Sequence, residues 1–275
     1  MIASVSSASR RLVPEHAIAS SCPFSAILPR GTGRRKSRPR DSAAAPIVRI
    51  AAWSGPRNLS TAMMYAFASR ADCAVIDEPF YAGYLAQSGV EHPMRDAILA
   101  AQPIDPDIVA RDLSRDGAPH VYAKHMAHHM AGIPLGWAEG CAHLHLIRHP
   151  ARVIASYEAK REAPTETDLG FAAQAALFDR LGGVVLDTGA LRDAPEAMLR
   201  ALCAALGLPW DAAMLRWKAG PKPYDGVWAP HWYGAVHRST GFAGPEGPLP
   251  DMSRRDLLRA AMPFYEAMRS RALTA

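Results

Sequence analysis

The residues with the clearest chemical potential stand in one short loop between an apolar run and a helix-forming run. The loop reads Ser54, Gly55, Pro56, Arg57, Asn58, Leu59, Ser60 and Thr61. Backbone N–H groups at a turn, one permanent cation and hydroxyls at the first helical positions together attract an anion, which predicts a phosphate cradle. A plain Ser/Thr helix cap after a strand is the alternative. The loop is not a Walker A motif, because the second Gly and the Lys are missing.

A second strand-to-helix junction carries another cation. The apolar run 142–147 leads into Arg148, then Pro150 at the first helical position, and a helix containing Ser156. Ser156 comes eight residues after Arg148, about two turns along the helix. Both side chains can therefore bind one ligand only if the ligand lies along the first turns of this helix. The alternative is an Arg that binds a carboxylate, with Ser156 on a solvated face.

A carboxylate follows a third apolar run. Glu78 stands directly after residues 74–77, where partial burial can raise the pKa of its carboxyl group toward the working pH of a general base. The alternative is that Asp77 or Glu78 caps a turn before Pro79. His125, His128 and His129 are a weak metal signature without an acidic or Cys partner nearby, and we expect no metal.

The elements that must position these residues alternate between strand and helix patterns. The patterns predict strands at 47–53, 73–77, 120–124, 142–148 and 183–187, and helices at 61–70, 106–115, 150–161, 165–182, 195–206 and 253–270. Such alternation predicts an α/β fold of three layers, P-loop-like, with a central parallel sheet flanked by helices. Ligands bind at the carboxyl ends of such strands, and each predicted site residue follows one. The Gly-, Pro- and aromatic-rich segment 219–250 is typical of a lid or binding loop.

Three stretches, in this order, resemble the sulfotransferases that use 3′-phosphoadenosine 5′-phosphosulfate (PAPS). The first, residues 47–70, resembles their 5′-phosphosulfate loop, and the second, 142–157, resembles their 3′-phosphate motif. The third, 184–217, resembles a packing segment with a Leu-Gly-Leu-Pro end. Two segments, WSGPRNLSTAMMYAF and DEPFYAGYL, are most similar to a branch of small bacterial members of this family. That branch also occurs fused to aminotransferase-like domains in plants.

The resemblance implies a role for each matching residue. Arg57, where relatives often carry Lys, would neutralise the 5′-phosphate and its bridging oxygen, with Leu59 at a position that is often Gly. The remaining cofactor-binding residues of the loop would be Ser54, Gly55, Asn58, Ser60 and Thr61. The 3′-phosphate would be held by Arg148 and Ser156, and by a second loop made of Arg238, Ser239, Thr240 and Gly241.

For the general base the resemblance offers two residues. Several branches of the family use a Glu at the position of Glu78, whereas cytosolic members carry Lys-x-His with the His as base. This chain has Lys124 and His125 with no residue between them. We therefore expect Glu78 to be the base, with His125 as the second candidate and Lys124 beside it.

The predicted function is transfer of a sulfuryl group from PAPS to a hydroxyl or amine of a small organic acceptor. One alternative is an ATP-dependent kinase or NTPase, since residues 74–79 resemble a Walker B strand. Others are a non-catalytic nucleotide-binding remnant and a sulfation that activates a hydroxyl for elimination. The acceptor and the oligomeric state stay open.

Charge is unevenly distributed along the 275 residues. The net charge is +5, but residues 1–46 alone hold eight basic and two acidic residues, so residues 47–275 are close to neutral. We expect 1–46 to be a disordered basic extension or the product of a mispredicted start, with a targeting segment and an arm attracted to nucleic acid or membrane as alternatives, and 47–275 to be one sulfotransferase-like domain. We expect no nucleic acid on the folded domain and no membrane span. The unpaired spacing of four cysteines favours the cytoplasm.

Overall fold

A five-stranded parallel sheet forms the centre of the protein. The computed structural model describes residues 47–114, 120–159, 164–251 and 254–275. The strands are β1 (Arg49–Ser54), β2 (Cys73–Asp77), β3 (His120–Met126), β4 (Ala142–Ile147) and β5 (Val184–Asp187). Their order across the sheet is β2-β3-β1-β4-β5, and every neighbouring pair is parallel. The predicted α/β fold is confirmed, whereas the predicted extension 1–46 lies outside the described residues.

Helices connect the strands and cover the sheet. In the described ranges they are α1 (Ser60–Ala68), α2 (Tyr81–Ser88), α3 (Arg95–Ala101), α4 (Pro106–Leu113), α5 (Pro150–Glu158), α6 (Glu166–Leu169), α7 (Phe171–Leu181), α8 (Thr188–Asp193), α9 (Pro195–Ala205), α10 (Ala229–Trp232), α11 (Gly234–His237) and α12 (Arg255–Arg269). The single helix predicted at 165–182 is two helices, because Gly170 takes a left-handed φ of 71° between them. None of the helices described is long and apolar enough to cross a membrane.

Alternation along the strands separates two cores. In β1, Ile50 and Ala52 pack on the side of α1 and α9, whereas Ala51 and Trp53 pack on the other side with Leu177 of α7. In parallel strands, residues in register point to the same face. Lys124 is in register with Ala52 and His125 with Trp53, so these two neighbours in β3 point in opposite directions. The strand period therefore decides which of them can reach a site on the α1 side.

The irregular segment 219–250 crosses the carboxyl edge of the sheet and is anchored there. The Gly226 N–H donates to Asp77 Oδ2 at 3.1 Å, and the Tyr233 hydroxyl donates to the same carboxylate at 2.7 Å. A second anchor joins the Tyr65 hydroxyl of α1 to Asp225 Oδ1 at 2.8 Å. The segment is thus a fixed wall, with α10 and α11 as its only helices among the residues described.

Candidate active site

One large cavity, of about 870 Å³, lies at the carboxyl ends of β1 to β4. Most residues predicted for the site line it. These are Arg57, Ser60, Thr61, Glu78, Lys124, Arg148, Ser156, Arg238, Ser239, Thr240 and Gly241. The structure thus brings together residues from every predicted motif.

The loop after β1 is shaped by residues that face away from this cavity. The buried Asn58 donates through Nδ2 to Leu146 O at 3.1 Å, and the Gly55 N–H donates to Gln174 Oε1 at 3.0 Å. A Cβ on Gly55 would stand 2.6 Å from Leu169 O, so only glycine fits here. The hydroxyl of Ser54 is buried. Ser54, Gly55 and Asn58 hold the loop in place, and Arg57, Ser60 and Thr61 are the members that face the cavity.

Backbone strain is concentrated in the same loop and at the end of β2. Arg57 and Leu59 take φ values of 61° and 59°, and Glu78 takes 39°. For residues with a Cβ, each such conformation costs about 1–2 kcal/mol. Strain of this kind persists where the surroundings impose it, which is common at functional sites. It also explains why Gly is frequent at the position of Leu59 in the motif that this loop resembles.

Arg57 connects the two predicted phosphate motifs. Its Nε donates to the Ser156 hydroxyl at 2.9 Å, and its carbonyl oxygen accepts from Arg148 Nη1 at 2.9 Å. Burial lowers the pKa of Arg57, and the charge of Arg148 lowers it further. The guanidinium groups of Arg57 and Arg148 and the hydroxyl of Ser156 all line the cavity. Together they form an electropositive end that suits an anion of more than one charge.

A carboxylate that the sequence analysis did not single out lies against this end. Glu246 Oε1 accepts from Arg148 Nε at 3.0 Å and from Arg192 Nη1 at 2.8 Å, and its Oε2 lies 2.8 Å from Arg152 Nε. Burial alone would raise the pKa of Glu246, but the three arginines outweigh it and hold the pKa below its ordinary value. Arg152, in the first turn of α5 and four residues after Arg148, could have been found from its closeness to that residue in the sequence. No local pattern marks Glu246, which is 98 positions from Arg148.

The opposite end of the cavity holds a buried ionic cluster at the ends of β2 and β3. Lys124 Nζ lies 2.9 Å from Asp77 Oδ1 and 2.6 Å from Glu78 Oε1. The Tyr233 hydroxyl accepts from Lys124 at 2.6 Å and from Trp228 Nε1 at 2.9 Å. The Tyr233 hydroxyl and the Gly226 N–H also donate to Asp77, so both carboxylate oxygens of Asp77 accept hydrogen bonds. Glu78 lines the cavity, and its Oε2 lies 3.8 Å from His129 Nδ1, beyond hydrogen-bond range.

The cluster sets the protonation of its members. Burial would lower the pKa of Lys124, but Asp77 and Glu78 outweigh it and raise that pKa, so Lys124 stays charged. Burial raises the pKa of Glu78, opposed by the charge of Lys124. A single cation shared by two buried carboxylates leaves one negative charge without a full partner. Of the two carboxylates, Glu78 is the one that lines the cavity.

The structure does not bring His125 into the cavity. Its ring stacks on Trp53 at 4.8 Å and lies 5.0 Å from Trp137, in the core on the other face of the sheet. Burial lowers the pKa of His125 to about 3, with His143 and Lys124 acting in the same direction. The strand alternation that points Lys124 to the site points His125 away from it, and this signal was available in the sequence. Trp53, fully buried here, belongs to the same core.

Aromatic and imidazole rings surround the cavity near Glu78. His129 is stacked between Tyr81 and Tyr84, with ring centroids 4.4 Å apart in both pairs, and His92 lies 5.8 Å from Trp232. Burial lowers the pKa of His128 to about 4 and that of His129 well below its ordinary value, so both are neutral at neutral pH. Among the residues described, no group of three or more His, Cys, Asp or Glu is arranged to hold a metal ion.

The second predicted loop closes the electropositive end. Arg238 and Thr240 line the cavity, and the Ser239 hydroxyl accepts from Trp217 Nε1 at 3.1 Å. Gly241 forms an isolated antiparallel bridge with Arg216, where a Cβ would stand 2.9 Å from Leu215 O. Packing therefore fixes the loop on both sides of Arg238.

Comparison with known proteins shows the family of the chain. A family model described as a sulfotransferase domain matches residues 48–272. The chain belongs to the sulfotransferase family. The family and the fold support sulfuryl transfer as the general activity of this domain.

Curated relatives of this sulfotransferase come from a plant. Branched-chain-amino-acid aminotransferase-like proteins 1 and 2 of Arabidopsis thaliana are 38% identical over 234 residues and 37% identical over 231 residues. Each alignment covers 80% of this chain and 41% of the relative, so the chain spans about two fifths of their length. Among solved structures, a sulfotransferase domain from the Synechococcus PCC 7002 olefin synthase is 16% identical, with a TM-score of 0.47, over 83% of this chain and 98% of that one.

Proposed function

We propose that this protein transfers a sulfuryl group from PAPS to a hydroxyl or amine of a small organic acceptor. The observation that carries the proposal is the division of one cavity into an electropositive end and an end that presents a buried carboxylate. Sulfuryl transfer needs both, because the leaving phosphate gains charge while the acceptor loses a proton. When bound, PAPS supplies the activated sulfuryl group and a phosphate leaving group.

The electropositive end fits the two phosphate groups of that nucleotide. Arg57, with Ser60 and Thr61 at the start of α1, would bind the 5′-phosphate, where helix N–H groups and a cation act together. Arg148 and Ser156, with Arg238 from the facing loop, would bind the 3′-phosphate. The Arg57–Ser156 and Arg148–Arg57 hydrogen bonds hold these groups in a common frame. Arg57 neutralises the leaving group by charge and donates no proton, because a guanidinium stays protonated.

Glu78 is the proposed general base, with the acceptor proton moving to Oε2. Its other oxygen is held by Lys124, and Asp77 takes the second place beside the same lysine. Lys124 would act as a positioning residue that orients Glu78. This arrangement keeps one carboxylate available in a partly desolvated site, where proton transfer to a raised-pKa group is effective.

The acceptor would lie against the rings near Glu78. Tyr81, His92 and Trp232 line this part of the cavity, and His128 and His129 are neutral. A surface made mainly of aromatic rings favours an uncharged, planar acceptor, such as a phenol or an aromatic amine.

Calorimetric titration of the protein with 3′,5′-phosphoadenosine tests the cofactor assignment. The comparison ligands are 5′-AMP and ATP with Mg²⁺. We expect tight binding of 3′,5′-phosphoadenosine only, followed by turnover of PAPS with a simple phenol as the probe acceptor. Preference for Mg·ATP would restore the kinase alternative, and binding without turnover of any acceptor in a broad screen would favour the non-catalytic remnant.

A further inference from the structure

Glu246 is the only carboxylate among the described residues that pairs with Arg148, and it does so through the face that a ligand would use. It accepts from both Nε and Nη2 of Arg148, the edge with which arginine binds carboxylates and phosphates side-on. Arg152 and Arg192 complete the contact, and only 7% of the Glu246 side chain is exposed. A carboxylate thus occupies the position at which the proposed 3′-phosphate would meet Arg148.

The chain around Glu246 has little else to hold it. Residues 243–245 and 247–249 are exposed, so this side chain is the well-buried part of the stretch. Three backbone contacts add to it, one of them from Arg192 Nε to Ala243 O at 3.4 Å. Arg192 Nε donates to Gly244 O at 2.8 Å, and Arg152 donates to Gly247 O. All of these contacts come from the arginines that bind the carboxylate, so loss of one ion-pair cluster would free the whole stretch.

Charge decides which anion could replace the carboxylate. Three arginines beside one carboxylate keep a net charge of about +2. A phosphate monoester carries about −1.5 to −2 at pH 7 and presents three acceptor oxygens, against −1 and two oxygens for a carboxylate. A terminal phosphate would therefore match the cluster better than Glu246 does, whereas a ribose hydroxyl could not compete with it.

We propose that Glu246 is an autoinhibitory residue, an internal anion that exchanges with the 3′-phosphate of the nucleotide. This role rests on the function proposed above. Residues 243–247 then act as a strap that closes the arginine cluster until a phosphate displaces the Glu246 carboxylate. Nucleotides without a 3′-phosphate would leave the strap closed. The exchange subtracts the Glu246 contacts from the affinity of every ligand that uses Arg148 and leaves other ligands unaffected, so Glu246 lowers the affinity for 3′-phosphorylated nucleotides alone.

The test is calorimetric titration of wild-type protein, Glu246→Gln and a control variant, Glu266→Gln. Glu266 is exposed on α12 and outside the cavity, so its substitution corrects for the loss of one negative charge. For Glu246→Gln we expect affinity for 3′,5′-phosphoadenosine to rise about tenfold, with 5′-AMP affinity within about twofold of wild type. The control should change neither.

Two results would overturn the exchange. Weaker nucleotide binding by Glu246→Gln would mean that Glu246 positions Arg148 for the ligand, and unchanged binding would mean that it does not compete. Inorganic phosphate, titrated as a second probe, separates this inference from the proposed function. Suppose that none of the three proteins binds 3′,5′-phosphoadenosine, but that Glu246→Gln binds inorganic phosphate more tightly than the wild type and Glu266→Gln do. The proposed function then fails and the exchange stands. If all three bind the nucleotide equally, without a gain for phosphate, the function stands and the exchange fails.

Discussion

At the scale of single residues, the site depends on how two similar side chains are distinguished by their surroundings. Asp77 and Glu78 are adjacent, buried and bonded to the same lysine. Tyr233 and the Gly226 N–H complete the hydrogen bonds of Asp77, whereas Glu78 lines the cavity. Environment, more than residue type, thus separates a carboxylate whose hydrogen bonds are complete from one that lines the cavity.

Glu78→Gln should abolish turnover while sparing nucleotide binding. The amide keeps the shape of the side chain but cannot take a proton, so we expect kcat to fall by about 10²–10⁴. Glu91→Gln, an exposed change outside the cavity, is the control. Activity is measured with a simple phenol, and affinity with 3′,5′-phosphoadenosine. Full activity in Glu78→Gln would remove the residue from the mechanism.

The pH profile gives a second test of Glu78. Burial raises its pKa, and a base works only when deprotonated, so activity should increase as pH rises through that raised pKa and then level off. The residual activity of Glu78→Gln should lose this acid limb. An unchanged limb in the variant would assign it to another group.

Arg148→Ala should weaken 3′,5′-phosphoadenosine about 10- to 100-fold, because a charge-assisted pair to phosphate is lost. Binding of 5′-AMP, which has no 3′-phosphate, should change by less than threefold by the same argument. Calorimetry on both ligands makes the comparison. Equal losses for the two nucleotides would place Arg148 outside the 3′-phosphate site.

At the scale of elements, the loop after β1 is held by a helix that is distant in sequence. Gln174 of α7 is buried, accepts from the Gly55 N–H at 3.0 Å, and donates to Leu146 O at 2.7 Å and to Trp53 O at 3.2 Å. One side chain therefore joins the loop to the ends of β1 and β4. The break at Gly170 matters here, because it ends α6 and lets α7 start where Gln174 can reach the loop.

Gln174→Leu should lower the free energy of unfolding by about 2–4 kcal/mol, since it removes three buried hydrogen bonds, although Leu146 O keeps the one from Asn58. Displacement of the loop should also weaken nucleotide binding. Gln87→Leu on α2, where the side chain is exposed, serves as the matched control. Urea denaturation of both variants measures the difference. Equal stabilities would mean that water or repacking replaces the three hydrogen bonds.

At the scale of the whole molecule, the cavity depends on the attachment of segment 219–250 to the sheet. The Tyr233 hydroxyl is the central link, since it joins this segment to Lys124 and Asp77 and also accepts from Trp228. A wall built from irregular chain can position Arg238 and the aromatic rings only if such anchors fix it.

Tyr233→Phe should reduce stability by about 1–3 kcal/mol, because Lys124, Asp77 and Trp228 each lose a buried partner. Amide hydrogen exchange should accelerate in residues 226–233, where the anchor is lost. Tyr224→Phe, a half-buried tyrosine of the same segment, should change stability by less than about 0.5 kcal/mol. Similar effects of the two changes would show that packing, and not the hydroxyl network, holds the segment.

The sequence by itself determined the five strands, the α/β class, and the strand-end positions of the loop 54–61 and of Glu78, whereas the short helices α2, α3, α8, α10 and α11 were not predicted. The features determined in this way follow from local periodicity, from turn residues and from the rule that ligands bind at the carboxyl ends of parallel strands. Strand alternation could also have separated Lys124 from His125, although the two are adjacent in the chain. Only the tertiary structure decided that Glu246 meets Arg148, that Gln174 holds Gly55 and that Tyr233 joins Asp77. Each of these contacts spans more than 90 positions, and such pairs depend on how the chain packs, which no local pattern records.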